Sequence, residues 1–342
     1  MKILELFGGI GACSKALEIL GIKYEISDYV EIDKFAVKSF NAIHNTNFDP
    51  QDIREWNKDL DVDLIMHGSP CQDFSIRGKG LGGDKDSGTR SSLMYETLRI
   101  VAKLKPKYVI WENVKNLISK KHRHNFEEYL LEMNYIGYNN YYKVLNAKDF
   151  GIPQNRERVF TISIRKDINK KFIFPETEEL KLRLKDLLED NVDEKYYISE
   201  KLLKYYDKKV KEGWRKEINI NPEIASTICN PARNQVNDNL IKPKVIGGFG
   251  KIGSTGQFHQ QNRIYDNNIA ISVTTSFNPY YREDSKIRKL TPRECWRLMG
   301  FDDEDFNKAQ EVNSNTQLYK QAGNSIVVNV LYKILKNLLE EN

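Results

Sequence analysis

The sequence predicts an α/β protein: an open, doubly wound sheet with helices on both faces, and a smaller unit of short strands and irregular chain. Three observations predict it. Apolar runs of strand length alternate with helical patterns through about the first 165 residues. Glycine-rich or polar motifs follow several of those runs, where a doubly wound sheet gathers its ligand site. After about residue 166 the composition turns to dense mixed charge and then to Asn, Gln and Gly.

Taken in order, strands are expected at 2–7, 24–31, 63–67, 107–111, 141–146 and 158–164. Helical patterns fall near 12–20, 33–44, 91–104 and 123–133. Residues 176–217 carry dense mixed charge, with tyrosines at 196, 197, 205 and 206. Residues 221–290 hold nine basic and five acidic residues, a balance that suits phosphate contact. This stretch reads as a second unit with little helix. A helical pattern returns over 322–338 (Ile326, Val327, Val330, Leu331, Ile334, Leu335, Leu338) and is expected to pack back on the first unit. The expected division is therefore 1–166, 167–315 and 316–342.

The 342 residues leave room for two units and a full core. The chain is 40% hydrophobic and 30% charged, with no apolar stretch near the roughly 20 residues of a membrane span. A strand pattern begins at once, so a cytoplasmic location with no membrane contact is expected. The net charge of +5 permits a nucleic-acid partner without requiring one. Cys13, Cys71, Cys229 and Cys295 form no CxxC pair, so neither a metal site nor a disulfide framework is expected.

Phe7-Gly8-Gly9-Ile10-Gly11 breaks the first strand and opens a helix. Such glycines let backbone approach a ligand, although the same run also serves a plain strand–helix turn. Glu31 ends the second strand, where a carboxylate can bind ribose hydroxyls. Asp52 and Ile53 follow the next helix, where an acid and an apolar side chain could hold an adenine. Ribose and adenine without a pyrophosphate-type glycine pattern point to S-adenosyl-L-methionine rather than NAD.

Ser69-Pro70-Cys71-Gln72 follows the run Leu64-Ile65-Met66 and leads into a loop holding Gly78, Gly80, Gly82, Gly83 and Gly88. A thiol there is a nucleophile candidate, provided that its surroundings favour the thiolate. Arg156, Arg158 or a helix N-terminus could supply that. The glycines over 76–90 predict a lid. The other three cysteines read as small buried hydrophobes. Glu112 follows Tyr108-Val109-Ile110-Trp111; alone it reads as a carboxylate exposed at a sheet edge, and beside Cys71 as a general acid. Arg156 and Arg158, two apart, share a side of a strand: either surface charge or a donor pair aimed into a pocket.

In this order the motifs resemble the DNA (cytosine-5)-methyltransferases, bacterial or phage type. The resemblance rests on Phe7–Gly11, Gly68–Gln72, Glu112-Asn113-Val114 and Gln154–Arg158. It continues through Arg288–Glu294 and Gln321-Ala322-Gly323-Asn324-Ser325, and so covers nearly the whole chain. Glu5 departs from it, standing where many members have Asp. The resemblance implies a doubly wound S-adenosylmethionine-dependent domain with a target-recognition region over about 167–285.

It also implies the chemistry. Cys71 adds to C6 of a flipped cytosine, Glu112 protonates or hydrogen-bonds N3, Arg158 donates to O2, and Arg156 supports the pocket. Methyl transfer to C5 leaves S-adenosyl-L-homocysteine. The donor site is expected to be lined by Phe7, Gly9, Ile10, Glu31, Ile32, Asp52, Ile53, Pro70, Leu93, Asn324 and Ser325. Ser75, Arg77, Gln260 and Arg263 are expected to contact double-stranded DNA, with Gln260 filling the gap that the flipped base leaves. Such an enzyme acts as a monomer in the bacterial cytoplasm and can accompany a separate restriction endonuclease. One alternative is a tRNA cytosine-5 methyltransferase on the same framework, but its Cys-Phe-Thr signature is absent. Another is an inactive DNA-binding relative, although every expected reactive residue is present.

Overall fold

Side chains along the strands alternate between two apolar clusters, one on each face of a central sheet. Ile3, Leu64, Met66, Ile110, Ile162 and Ile164 enter one cluster, while Leu4, Leu6, Ile65, Val109, Trp111 and Val159 enter the other. A strand with period two can be apolar at every position only if both faces are covered. The structure, a computed structural model, describes residues 1–70, 74, 82–84, 87–196 and 290–340. It also describes the backbone of four short strands between 245 and 288.

Six strands form the sheet: β1 (Lys2–Leu6), β2 (Glu25–Val30), β3 (Leu64–His67), β4 (Tyr108–Val114), β5 (Tyr138–Asn146) and β6 (Glu157–Arg165), in the order β2-β1-β3-β4-β6-β5. β1, β2, β3 and β4 are parallel, and β6 runs antiparallel to both β4 and β5. The chain leaves β1 for β2 on one side and returns to β3 on the other. The switch point thus lies between β1 and β3, where a crevice opens at the carboxyl ends of the strands.

Helix α1 (Ala12–Ile19) faces one cluster; α3 (Met94–Leu104) and α4 (Arg123–Ile136) face the other. α2 (Lys34–His44) is capped by Asp33, whose carboxylate accepts from the Phe35 N–H at 3.0 Å. Each of these four helices lies within two or three residues of its expected position.

Three differences from the sequence reading have local causes. β4 runs on to Val114, because antiparallel β6 pairs Glu112 with Phe160 and Asn113 with Val159. Glu112 therefore sits within the strand rather than after it. Over 322–338 there are two helices, Asn315–Asn324 and Val328–Leu339. Gly323 and Asn324 are weak helix formers and β-branched Ile326 and Val327 follow, so the chain turns extended at Ser325. Finally, residues expected in a helix-poor unit form the helices Pro292–Arg297 and Asp303–Val312. The first has a capping box, with Thr291 and Glu294 exchanging hydrogen bonds and Pro292 at its first position.

Residues 290–340 pack into the cluster that holds Ile3 and Ile162, through Leu290, Trp296, Met299, Phe306, Leu331 and Leu335. Helix Val328–Leu339 lies on α1, and Asp303–Val312 lies on α2. Buried Lys15 of α1 bridges to Asp302 at 2.7 Å and Asp305 at 2.9 Å. A buried ammonium needs such partners. In the remaining stretch, Val245–Gly248 pairs antiparallel with Arg263–Tyr265, and Tyr281–Glu283 with Lys286–Arg288. Among the described residues no helix is long and apolar enough to cross a membrane.

Candidate active site

Four segments meet at the carboxyl ends of β1 to β4. The turn after β1 is left-handed at alternate residues, with φ of 52° at Phe7, 55° at Gly9 and 82° at Gly11. A side chain at Gly11 would collide with the His44 ring, so only glycine fits there. At Gly9 nothing lies within 4 Å of where a Cβ would project, which leaves its backbone open to a ligand. From below, buried Glu5 accepts hydrogen bonds from the Ser14 N–H at 3.1 Å and from the Ser14 hydroxyl. Burial pushes the Glu5 carboxyl up to about 7, against the pull of those donors.

Glu31, just past β2, is half-buried and faces the same turn. Its Oε2 accepts from the Gly9 N–H at 3.3 Å and its Oε1 from the Asp33 N–H at 2.8 Å. Each carboxylate oxygen keeps a further acceptor site, as ribose binding requires. Burial raises the Glu31 pKa despite these backbone donors. Ile32 presents an exposed apolar side chain, 65% accessible, at this edge. Phe7 and Leu93 are partly buried against the cluster of Leu6 and Ile65. These residues fit a donor with a ribose and a flat aromatic base.

The other expected donor residues differ in exposure and pairing. The Ile10 and Ile53 side chains are core residues, 2% and 3% exposed. The Asp52 carboxylate turns back to the Arg54 N–H at 3.0 Å and pairs with the Arg54 guanidinium, which holds it below the ordinary carboxylate range. Asn324 is exposed and Ser325 buried.

The second half of the site lies around the end of β3. A side chain at Gly68 would begin 3.8 Å from Glu112 Oε2 and 3.6 Å from Ile326 Cδ1. Glu112 thus stands beside the chain three residues before Cys71. The approach to Cys71 is fixed at Ser69, whose hydroxyl accepts from Trp111 Nε1 at 3.0 Å and whose carbonyl accepts from Asn113 Nδ2 at 3.2 Å. Half-buried Pro70 follows. Cys71, Ser75, Arg77 and Gln260 lie outside the described residues, and Arg263 is described in its backbone alone.

Arg158 Nε lies 2.9 Å from Glu112 Oε1. The contact is ionic, without hydrogen-bond alignment, and among the described residues Oε1 accepts no hydrogen bond. A buried carboxylate oxygen in that state has acceptor capacity left for a ligand. Burial raises the Glu112 pKa; Arg158 and then Arg156 pull it down, and burial prevails. Arg156, which sits before β6 rather than within it, is buried. Its Nη2 donates to the Ser325 carbonyl at 2.6 Å and the Gly323 carbonyl at 3.3 Å. The helix break at Ser325 exposes those carbonyls.

Of the expected lid, 76–90, residues 82–84 and 87–90 are described. Buried Phe74 packs where a side chain at Gly83 would go, and Asp84 accepts from Asn125 Nδ2 at 2.7 Å and pairs with His124 Nε2 at 2.8 Å. A separate concavity of about 170 Å³, lined by residues such as Glu189, Tyr196, Thr291 and Arg293, shares no residue with this site.

Residues 1–340 match the family model for C-5 cytosine-specific DNA methylases. The chain belongs to that family. Its similarity to curated methylases runs end to end. It is 34% identical to the type II methyltransferase M2.ScrFI of Lactococcus lactis subsp. cremoris, covering 99% of both chains. It is 31% identical to the orphan methyltransferase M.SPRI of Bacillus phage SPR, covering 99% of this chain and 97% of the relative. Among solved structures, the S. pombe Dnmt2 methyltransferase matches with a TM-score of 0.62 at 20% identity, covering 99% of this chain and 98% of that one. Entamoeba histolytica EhMeth matches with a TM-score of 0.66 at 17% identity, covering 100% and 99%. These two likenesses show the methylase fold. The family assignment makes the chain an enzyme that methylates cytosine C5 in DNA from a methyl donor.

Sequence reasoning missed several supports of this methylase site. Trp111 and Asn113 act on Ser69 across two strands, and Gln154 donates to the Leu298 carbonyl at 2.8 Å. None of these follows from local pattern. The capping signal Thr291-Pro292-Arg293-Glu294 was available and marks the helix at 292.

Proposed function

We propose that the methyl donor is S-adenosyl-L-methionine and that Cys71 is the nucleophile toward a cytosine flipped out of a specific double-stranded DNA sequence. One observation carries the reading: the buried Glu112, paired with Arg158, stands beside Gly68 at the entrance to the Cys71 loop.

The Cys71 thiolate adds to C6, and its lone pair becomes the new C–S bond while electron density moves onto the ring. Glu112 meets N3 with a proton or a hydrogen bond, so charge does not accumulate there. Its raised pKa suits that role. Arg158 donates to O2. Arg156 holds the Gly323 and Ser325 carbonyls in place and adds positive potential near Glu112. Addition at C6 turns C5 into an enamine-like nucleophile, which an aromatic ring carbon otherwise is not. When bound, S-adenosyl-L-methionine supplies a sulfonium methyl group for C5. Loss of the C5 proton then restores the double bond and expels Cys71.

Gly9 and Glu31, with Phe7, Ile32, Pro70 and Leu93 around them, are the residues that would hold the donor. Target recognition falls within 167–315. Since residues up to 196 and from 290 onward include members of the central cluster, the reading surface belongs between them, where Gln260 and Arg263 lie. Ser75 and Arg77 approach the DNA from the Cys71 loop. The protein works as a monomer, and a restriction endonuclease, where one accompanies it, acts separately.

The test is incorporation of labelled methyl groups into duplex DNA and into tRNA, followed by bisulfite sequencing of the DNA. Label at C5 of cytosine within one short sequence is expected. Label in tRNA alone would overturn the substrate, and transfer by Cys71→Ala at the wild-type rate would overturn the nucleophile.

A further inference from the structure

The glycine turn after β1 is held from β2 by two side chains, of which Glu31 alone was legible as a ligand residue. Tyr29 and Glu31 are two positions apart at the end of β2, so both project toward the turn. The Tyr29 hydroxyl donates to the Gly9 carbonyl at 2.6 Å, and the Gly9 N–H donates to Glu31 Oε2 at 3.3 Å. The donor and the acceptor of one residue are thus gripped from the same strand end. We propose that Tyr29 is a positioning residue for the methyl donor: its hydroxyl fixes Gly9, and through Gly9 it sets the carboxylate of Glu31.

The reasoning starts from conformational freedom. Gly9, at φ 55°, has no side chain to hold it, and no neighbour lies within 4 Å of its Cβ direction. A glycine in such a position samples many backbone states unless its peptide groups are tied. Tyr29 is itself immobile. Its ring is fully buried, stacked on Phe40 at a centroid distance of 3.7 Å and tilted against Phe48 at 5.7 Å. The same ring fills the space where a side chain at Gly8 would start, with a separation of 2.6 Å. Burial, followed by the charges of Glu31 and Glu5, pushes the Tyr29 phenol well above its ordinary pKa, so the group remains a donor at working pH. The Asp33 N–H sets Glu31 Oε1, and the Gly9 N–H sets the other oxygen. If Gly9 rotates, Glu31 loses that contact, and its carboxylate no longer meets a ligand in one orientation.

The inference rests on the donor-site reading proposed above, and the experiment separates the two. Tyr29→Phe keeps the ring, its stack on Phe40 and its packing at Gly8, and removes the hydroxyl. Calorimetry with S-adenosyl-L-homocysteine on the full chain should show affinity weakened roughly three- to tenfold, the range for one lost hydrogen bond. The KM for the donor should rise by a similar factor, with kcat at saturating donor and the affinity for DNA at wild-type values. Glu31→Ala is the control. If Glu31→Ala weakens binding and Tyr29→Phe does not, the positioning role is wrong and the donor site stands. If neither variant changes affinity, the donor-site reading fails. A lower melting temperature in Tyr29→Phe with donor affinity and KM unmoved would show a purely structural contact and overturn the proposal.

Discussion

The two halves of the site are built by different means. On the β1–β2 side the contacts are local and involve backbone: Ser14 to Glu5 spans nine residues, Gly9 to Tyr29 twenty, and Gly9 to Glu31 twenty-two. On the β3–β4 side they join segments farther apart in sequence. Trp111 reaches Ser69 across 42 residues, and Arg156 reaches Ser325 across 169. The first half can take shape from the opening βαβ unit. The second exists only when β6 and the segment after Asn315 have docked. On the proposed reading, the donor half governs affinity for the methyl donor, and the base half, where charges converge under burial, governs the chemical step.

Glu112→Gln tests this division with the largest expected effect. The amide keeps the shape but cannot give up a proton as the acid does. We expect kcat to fall by about 10²- to 10⁴-fold, the usual range for a general acid. Homocysteine-product affinity should stay at the wild-type value. Weakened product binding with unchanged kcat would reverse the roles of the halves.

Next comes Glu5→Gln, in the donor half. The Glu5 carboxyl sits at about 7 in the folded chain against an ordinary 4.5. A raised carboxylate pKa contributes stability that is fully present below 4.5 and is lost as the pH rises through 7. Relative to the neutral variant, wild type should lose up to about 3 kcal/mol between pH 4.5 and 8. Urea unfolding of both proteins at several pH values reads this directly. Parallel pH curves would mean that Glu5 titrates normally.

The smallest effect is expected from Glu31→Ala. Losing a carboxylate that accepts from the Gly9 N–H and is proposed to meet the ribose should weaken donor binding by about 1–3 kcal/mol. DNA affinity, measured separately at fixed salt, should not change. A large loss of DNA affinity would show that the halves are coupled more tightly than their construction implies.

How much of this was legible in the sequence follows the same division. The six strands, the glycine turn and Glu31 come from apolar runs of strand length and local motif, and the structure places them within a few residues of expectation. The base half was legible as a set of residues and not as a geometry. Glu112 reads as following a strand, because its continuation depends on pairing with Phe160, far along the chain. Arg156 and Arg158 read as a matched pair on one strand, yet Arg156 reaches the Ser325 carbonyl while Arg158 meets Glu112. The break at Ser325 was hidden because apolar spacing continues across it. Tyr29 carried no motif at all, since its role arises from a hydroxyl that meets a backbone carbonyl of another strand's turn.

The central claim, a covalent attack by Cys71 with Glu112 as the acid partner, is tested most directly by a trapping experiment. A duplex carrying 5-fluorocytosine at the target position retains its C5 substituent and so cannot release the enzyme. Wild type, with donor present, should give a complex that survives denaturing electrophoresis. Cys71→Ser should give none, while Cys295→Ser, which alters a buried cysteine of the core, should trap as wild type does. A complex formed by Cys71→Ser, and lost in Cys295→Ser, would contradict the account.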